Sequence, residues 1–392
     1  MLSYWEKTIW TAPADVVIVG AGFTGLFTAI TLLRNQPKLK VKLIEQEKFG
    51  TLASSRNAGF LCFGSPSELA ADLGHSSPET IISLLRQKRR GISLLLAQLR
   101  KKDMQYQATH GYELLLNDFP ESSQVAIDQY QKINTLFHEA FQTTAYYRLL
   151  AEMDLVHQSP AIQFKYEGQI NPAATVLALR TLAENLGAHI MYNTKVLSVL
   201  KQANQWHINL GDSVLKAHDL VLANNAFASE LASEHQVLPQ RAQVLVTEPL
   251  SVSLPWKGNF HVDFGYLYFR NIGNQRILLG GARNTDFVAE QTARLELNPN
   301  IQEHLEAFLQ NHLLPPGAPY QIADRWVGIM GFREPKKVPG LHVMPDGLVI
   351  VAGMNGMGAA LGPALGEEAA LHLLKVRYPG FRPQKRNGWL KI

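Results

Sequence analysis

The sequence predicts an α/β chain in two parts: a parallel-sheet unit assembled from discontinuous segments, and a mixed domain of antiparallel sheet and helices inserted into it. Three observations carry this expectation. The 392 residues are more than one hydrophobic core comfortably holds. Strand-then-helix signatures stand at the start, in the middle and at the end of the chain. Between them lie long amphipathic helical stretches and a run of alternating strands.

Val16 to Val19 is a short apolar run of the kind that forms a fully buried strand. Gly20, Gly22 and Gly25 follow, and Leu26, Ala29, Ile30 and Leu33 then recur at helical spacing. Val41 to Ile44 is a second apolar strand ending at Glu45, which completes a βαβ unit. Residues 77–158 read as mostly helical, with Ser77 before Pro78 and Glu79 as a helix start. A helix is expected from Ala173 to Leu186, then short strands in "HIMYN", "VLSVL", "WHINL" and "LVLAN". Residues 240–282 alternate like sheet in "QVLVT", "YLYFR" and "RILLGG". "GLVIVAG" closes the pattern as a buried strand and "GPALGEEAALHLLKV" as a helix. Gly347 to Gly366 carries no charge over twenty residues, yet its six glycines suit a strand and a close-approach loop better than a membrane helix. There is no internal repeat. The expected division gives residues 1–76, 159–236 and 325–392 to the parallel-sheet unit, and 77–158 and 237–324 to the insertion.

Composition narrows the function classes. Hydrophobic residues make up 46% and charged residues 18%, as in an ordinary globular chain. The net charge of +4, from 37 basic and 33 acidic residues, is too small to require a polyanion. The basic runs Arg86 to Arg90 and Arg100 to Lys102 have no interleaved aromatic residues, so they read as solvated helix faces and no nucleic-acid partner is expected. Cys62 is the single cysteine, so a disulfide within the chain is excluded, a cysteine-based metal site is not expected, and a reducing, cytoplasmic setting fits. The first fifteen residues contain an early acid and no long apolar core, unlike a signal peptide. The thirteen histidines show no ligand spacing; His110, His261 and His342 read as surface or satisfied core groups, and no metal is expected.

The glycines carry the first chemistry. In G-x-G-x-x-G the first glycine allows a tight turn, the second lets backbone approach a pyrophosphate, and the third lets the helix lie close on the strand. The helix N-terminus offers amides and a partial positive charge to phosphate. Glu45 stands where an acid accepts hydrogen bonds from a ribose diol. This motif fits a flavin or a nicotinamide dinucleotide equally. "ASSRNAGF", Ala53 to Phe60, offers donors and close backbone approach to a flavin and its ribityl chain, or is an ordinary polar loop. "VAGMNGMGAALGPALGEEAA" puts backbone amides beside another polar ligand atom, or is a tightly packed strand-to-helix turn.

The stretches "DVVIVGAGFTGL", "LIEQ", "ASSRNAGF", "GQINP", "NTKVLSVL", "DLVLANNAFASEL", "QVLVTEPL", "YLYFR", "ILLGGARN" and "GLVIVAGMNGMG" occur in an order that resembles the D-amino-acid oxidase/glycine oxidase superfamily. The most similar branch holds the sarcosine oxidases and gamma-glutamylputrescine oxidoreductases. The resemblance implies a Rossmann-like FAD-binding domain built from discontinuous segments, with an inserted substrate domain. It places Gly20, Gly22, Phe23, Thr24 and Gly25 at the pyrophosphate and Glu45, followed by Gln46, at the adenosine ribose. Ser54, Ser55, Arg56, Asn57, Ala58, Gly59 and Phe60 would run beside the ribityl chain and the isoalloxazine. Val196 would meet adenine through its backbone, and Ala223, Asn224 and Asn225 would close over the nucleotide from the far side. Gly353, Met354, Asn355, Gly356, Met357 and Gly358 would sit near the pyrimidine end and the ribityl hydroxyls.

The chain also departs from that family's pattern. Sarcosine-oxidase-like relatives carry a lysine after the last glycine motif, where this chain has Ala359 and Ala360. Their glycine–histidine–glycine centre is Gly356, Met357 and Gly358 here. A flavin-linking cysteine is missing from the C-terminal segment, because Cys62 lies elsewhere in the chain, so FAD is expected to be held noncovalently. These departures leave a larger or less anionic amine open as substrate.

The implied reaction is oxidation of the C–N bond of an amine or amino acid by hydride transfer to flavin N5, giving an imine that hydrolyses. Oxygen or another electron acceptor would reoxidise the flavin. With one G-x-G-x-x-G, a second nicotinamide-binding domain is not expected. On "YLYFR", Tyr266, Tyr268 and Arg270 share one face and Leu267 and Phe269 the other. Tyr268 is a substrate contact or a packed sheet tyrosine. Arg283 and Arg333 are each a bidentate partner for a substrate carboxylate or a surface arginine. Two other readings stand beside this one: a non-catalytic flavin-binding subunit of a heteromeric oxidoreductase, and an NAD-dependent dehydrogenase.

Overall fold

The apolar run that opens at Ala14 is the central strand of an eight-stranded sheet. The computed structural model describes residues 3–49, 52–143, 146–153, 155, 158–273, 275–333 and 337–383. The sheet runs Gly340–Val343, Leu348–Ala352, Val214–Leu222, Ala14–Val19, Val41–Ile44, His189–Met191, with Gln205–Asn209 and Ser198–Gln202 continuing antiparallel from Val214–Leu222. Ala14–Val19 pairs in parallel with Val41–Ile44 on one side and Val214–Leu222 on the other. Chain order therefore reverses at its carboxyl end, and such a switch point opens a crevice for a ligand.

The helix Phe23–Asn35 begins directly behind that opening. It packs so close to Gly358–Arg377 that a Cβ on Gly366 would lie 2.3 Å from the Thr24 carbonyl oxygen, and the Thr28 hydroxyl donates to the Gly366 carbonyl. Gly91, on helix Pro78–Gln98, makes an equally tight crossing, with a Cβ there placed 1.8 Å from the Ala360 carbonyl oxygen. One continuous core runs from Val16 and Leu26 through Ile81 and Leu85 to Phe137 and Phe164. Helix Pro78–Gln98 thus packs on the dinucleotide-type unit, although the sequence division gave it to the insertion.

The second sheet has nine strands and is mostly antiparallel. Its order is Ile322–Phe332, Leu238–Thr247, Arg276–Gly281, Leu267–Ile272, Asn259–Val262, Gln107–Leu114, Ser159–Gln169, Phe60–Leu61, with Tyr147–Met153 on Ser159–Gln169. Three of its strands fall where the sequence division expected the other unit: Phe60–Leu61, Ser159–Gln169 and most of Ile322–Phe332. The stretch 77–158 is also less helical than expected, since Gln107–Leu114 and Tyr147–Met153 are strands inside it. Gln107–Leu114 has no alternation to betray it: its first half is largely exposed, and its last four residues are all buried.

The basic run Arg86 to Arg90 is a correction too. Lys88 is buried, with its ammonium donating to the Phe63 carbonyl at 2.8 Å. Arg90 pairs with the buried carboxylate of Glu367, and Arg86 and Arg89 donate to the carbonyls of Glu139 and Phe141. Lys88 is thus taken into the interior, while Arg86, Arg89 and Arg90 fasten neighbouring elements from the solvated side. Among the described residues, no helix is long and apolar enough to cross a membrane.

Candidate active site

Both sheets turn one end toward a single cavity. Its first wall is the glycine turn. Gly20 has φ +101°, a conformation that only glycine adopts freely, and a Cβ there would meet the Ala223 carbonyl oxygen at 2.7 Å. Gly22 is the helix N-cap and brings no side chain of its own to cap the first turn, which leaves room for an anion at the helix start beside the Phe23 amide that Ser54 takes. A Cβ on Gly25 would sit 1.9 Å from the Gly20 carbonyl oxygen, so this glycine sets helix against strand from outside the cavity lining.

Glu45 is buried, and its two carboxylate oxygens accept the backbone N–H groups of Ala21 and Glu47, each at 3.0 Å. It pins the glycine turn and keeps lone pairs for a diol. The Ser54 hydroxyl accepts the Phe23 N–H at 3.1 Å. Arg56 donates to the Val327 carbonyl, and the Trp326 indole N–H donates to the Arg56 carbonyl at 2.8 Å, so this segment is fixed to the second sheet. The Asn225 carboxamide oxygen accepts the N–H groups of both Gly353 and Met354, and that of Asn355 accepts the Arg333 N–H. These two asparagines, with φ of +44° and +50°, bind the far side of the cavity to the C-terminal glycine loop.

Most of the expected cofactor residues meet at this cavity: Gly20, Gly22, Phe23, Thr24, Glu45, Gln46, Ser54, Arg56, Asn57, Ala58, Phe60, Val196, Ala223 to Asn225, and Met354 to Gly358. Ser55, Gly59 and Gly353 join Gly25 outside the lining. Gly59 has φ +79° and lies against the Ile170 carbonyl, and Gly353 against the Arg333 side chain. The residues present fit a dinucleotide. Small cradle positions face the glycine turn, and the buried Asn224 Oδ1 and Asn355 Nδ2 have no partner in the protein and await a polar ligand.

The second sheet supplies the other end. Leu267 and Phe269 are buried in its own core, while Tyr266 and Tyr268 line the cavity. Arg270 shares their face, but its guanidinium donates to the Gly59 and Ile170 carbonyls and burial lowers its pKa to about 10. Burial pushes the Tyr268 hydroxyl up to about 12, so it stays protonated and acts as a neutral hydrogen-bonding group. Arg283 lines the cavity between the rings of Tyr266, Phe287 and Phe332, with its guanidinium 4.7–5.5 Å from the three ring centroids, and bonds to Gln240. Arg333 does not line the cavity; its side chain lies against Gly340 and Gly353.

Several residues of this end carried no signal in the sequence. Glu68, Phe264 and Lys337 line it, and Lys337 pairs with Asp72 at 3.0 Å. Cys62, distant in sequence from the C-terminal glycine loop, faces it, with Sγ 4.0 Å from Met357 Sδ. His261 is buried in the cavity wall and its Nε2 has no partner, so it is not a satisfied core histidine. No local pattern marks these residues, because strand order alone brings them together.

Burial sets the charge state behind this wall. Desolvation raises Glu113 to about 7 and Glu167 to about 8, and lowers His261 to about 4. Both carboxyls hold a proton in the folded chain that they release on unfolding. Their contribution to stability is full below the ordinary carboxyl range and is lost as pH rises through 7 to 8. His261 has the opposite sign, and its contribution grows only between about 4 and 6.5. The urea midpoint is therefore expected to fall between pH 6.5 and 8, and Glu167→Gln to flatten that fall. An unchanged slope in the variant would remove Glu167 as its source.

Comparison with known proteins agrees with this arrangement. The model of the family described as FAD dependent oxidoreductase matches residues 15–371. A probable oxidoreductase, OrdL, from Rhizobium meliloti is 26% identical over 417 residues, covering 97% of this chain and 92% of that one. Among solved structures, glycine oxidase from Geobacillus kaustophilus superposes with a TM-score of 0.74 at 20% identity, covering 94% and 96% of the two chains. Iminodiacetate oxidase from Chelativorans superposes with a TM-score of 0.70 at 18% identity, covering 95% and 97%. At these identities the structures establish a shared fold.

Proposed function

This chain belongs to the family of FAD-dependent oxidoreductases, and from that premise we propose that it oxidises the C–N bond of an amine or amino acid, with FAD held noncovalently. One observation carries the reading: the glycine turn and the arginine–tyrosine end belong to the same cavity, which Met357 to Ala360 also line. When bound, FAD accepts the hydride of a C–H bond next to nitrogen, and the resulting imine is hydrolysed by water to a carbonyl compound and an amine.

The chain's own residues would bind, orient and dehydrate the substrate. Arg283 presents a planar, permanently charged fork to a substrate carboxylate, and its aromatic surround keeps the fork from turning away. The neutral Tyr268 hydroxyl offers one hydrogen bond without a competing charge. Phe60, Tyr266 and Phe332 cover the reacting end with apolar surface and exclude water. Ala359 and Ala360 also face the cavity, so the lysine of sarcosine-oxidase-like relatives has no counterpart there, and Arg283 is the proposed carboxylate anchor.

The test is a visible spectrum of the purified protein, recorded anaerobically before and after adding amines and amino acids. Bleaching of the flavin bands by one compound class identifies the reductive half-reaction. Arg283→Met is then expected to raise KM for a carboxylate-bearing substrate by about 30- to 100-fold, the loss of roughly 2–3 kcal/mol of a desolvated charge pair. Flavin bands that no compound bleaches would favour the non-catalytic subunit reading. A carboxylate substrate whose KM ignores Arg283 would remove that residue from the site.

A further inference from the structure

We propose that Cys62, Glu167 and His261 form a binding site for one zinc ion in the cavity wall. One ligand atom from each lies within 4.8 Å of the other two, and the residues are 6%, 2% and 4% exposed. The sheet builds this cluster from distant sequence. Strand Phe60–Leu61 pairs antiparallel with Ser159–Gln169, with Leu61 opposite Gly168, so Cys62 emerges beside Glu167. His261 lies on Asn259–Val262, beyond the intervening strand Gln107–Leu114. On that strand Gly111 leaves a gap: a Cβ there would lie 2.4 Å from Glu167 Oε2. The carboxylate crosses the gap and accepts the Asn259 side-chain N–H at 3.0 Å.

An independent observation points to an occupant. Glu167 Oε1 and His261 Nε2 are buried with no hydrogen-bond partner, and so are Asn259 Oδ1 and the hydroxyl of Tyr146. Burial, and then its nearness to Glu167 and Cys62, holds the Tyr146 hydroxyl in its neutral form. Buried polar atoms are nearly always paired, so several orphans in one place mark an unfilled polar position. The nearby cation, Lys88, gives its ammonium to the Phe63 carbonyl.

Chemistry selects the ion. Thiolate and imidazole favour zinc over magnesium or calcium. A thiolate, a carboxylate and a neutral imidazole carry two negative charges, so a divalent cation makes the buried site neutral. On binding, the thiol and carboxyl protons leave to solvent and metal–sulfur, metal–oxygen and metal–nitrogen bonds replace them. Tetrahedral zinc wants ligand atoms roughly 3.3–3.8 Å apart, which side-chain rotations of under about 1 Å per ligand supply. Cys62 and His261 line the cavity, so the fourth coordination position opens toward it. None of the three ligands belongs to the glycine cradle, so this site stands or falls separately from the oxidation proposed above.

The test uses the holoprotein, dialysed against chelator, then against micromolar zinc, desalted and analysed for metal. About one zinc per chain is expected, falling about tenfold or more in Cys62→Ser, Glu167→Gln and His261→Ala. Flavin absorbance in each sample reports that the fold and cofactor are intact. Cadmium-113 NMR of the wild-type protein is expected to show one thiolate-shifted resonance, and it decides the matter if a variant fails to fold. Zinc-free wild-type protein, stoichiometry unchanged in all three variants, or no thiolate-shifted cadmium signal would each overturn the site. A buried water would then fill the gap.

Discussion

Gly22→Val is expected to purify folded but without bound FAD. Gly22 has φ −82° and ψ −171°, extended backbone that valine adopts readily, so the substitution carries no backbone strain. The damage is local and steric. A Cβ at this position would stand 2.6 Å from the Ser54 hydroxyl, which accepts the Phe23 N–H. The two methyl groups of valine extend further, over the first-turn amides that face the cavity. Loss of that anion contact and of close approach is expected to weaken FAD binding by about 3 kcal/mol or more, over a hundredfold. The readout is flavin absorbance per chain, with circular dichroism confirming the fold. Wild-type flavin content in the variant would remove the glycine turn from the cofactor site.

Arg241→Met is expected to give the largest loss of stability. Arg241 lies on Leu238–Thr247, a strand that contributes Ala242 and Val244 to the cavity. Its guanidinium bonds bidentately to Glu290, at 2.6 and 3.0 Å, and the two side chains are 7% and 1% exposed. Gln243 and Asn298 donate to the same carboxylate. Methionine fills similar volume but leaves a buried carboxylate without its counter-charge, a cost of about 3–5 kcal/mol. Arg241→Met combined with Glu290→Leu removes both charges and is expected to recover most of that loss. Denaturant unfolding of the two proteins measures the difference. If the double variant is no more stable than the single one, packing and not charge is what the arginine supplies.

The two predictions mark the boundary between what was legible in the chain and what was not. The glycine turn could be read because its parts are neighbours: Gly20, Gly22 and Gly25 sit within one βα turn, and Glu45 ends the next strand. Local backbone requirements write themselves into local sequence, since few residues other than glycine tolerate φ near +100° or a carbonyl within 2 Å of a Cβ. The alternation in "YLYFR" likewise placed Leu267 and Phe269 in a core and turned Tyr266 and Tyr268 the other way. The same alternation put Arg270 on that face, but period two fixes a face and not a partner, and two carbonyls claim that guanidinium.

The sequence by itself determined the α/β class, the glycine turn with Glu45 beside it and, through the order of its motifs, the family. The tertiary structure alone decided that Cys62 meets Met357, that Arg283 and not Arg333 reaches the cavity, and that His261 is left unpaired beside Glu167. These contacts join segments far apart in the chain, Cys62 and Met357 by 295 residues, in a fold whose strand order does not follow the sequence. Hydrophobic burial chooses that order, and burial records only that a strand is apolar, not which strand lies beside it.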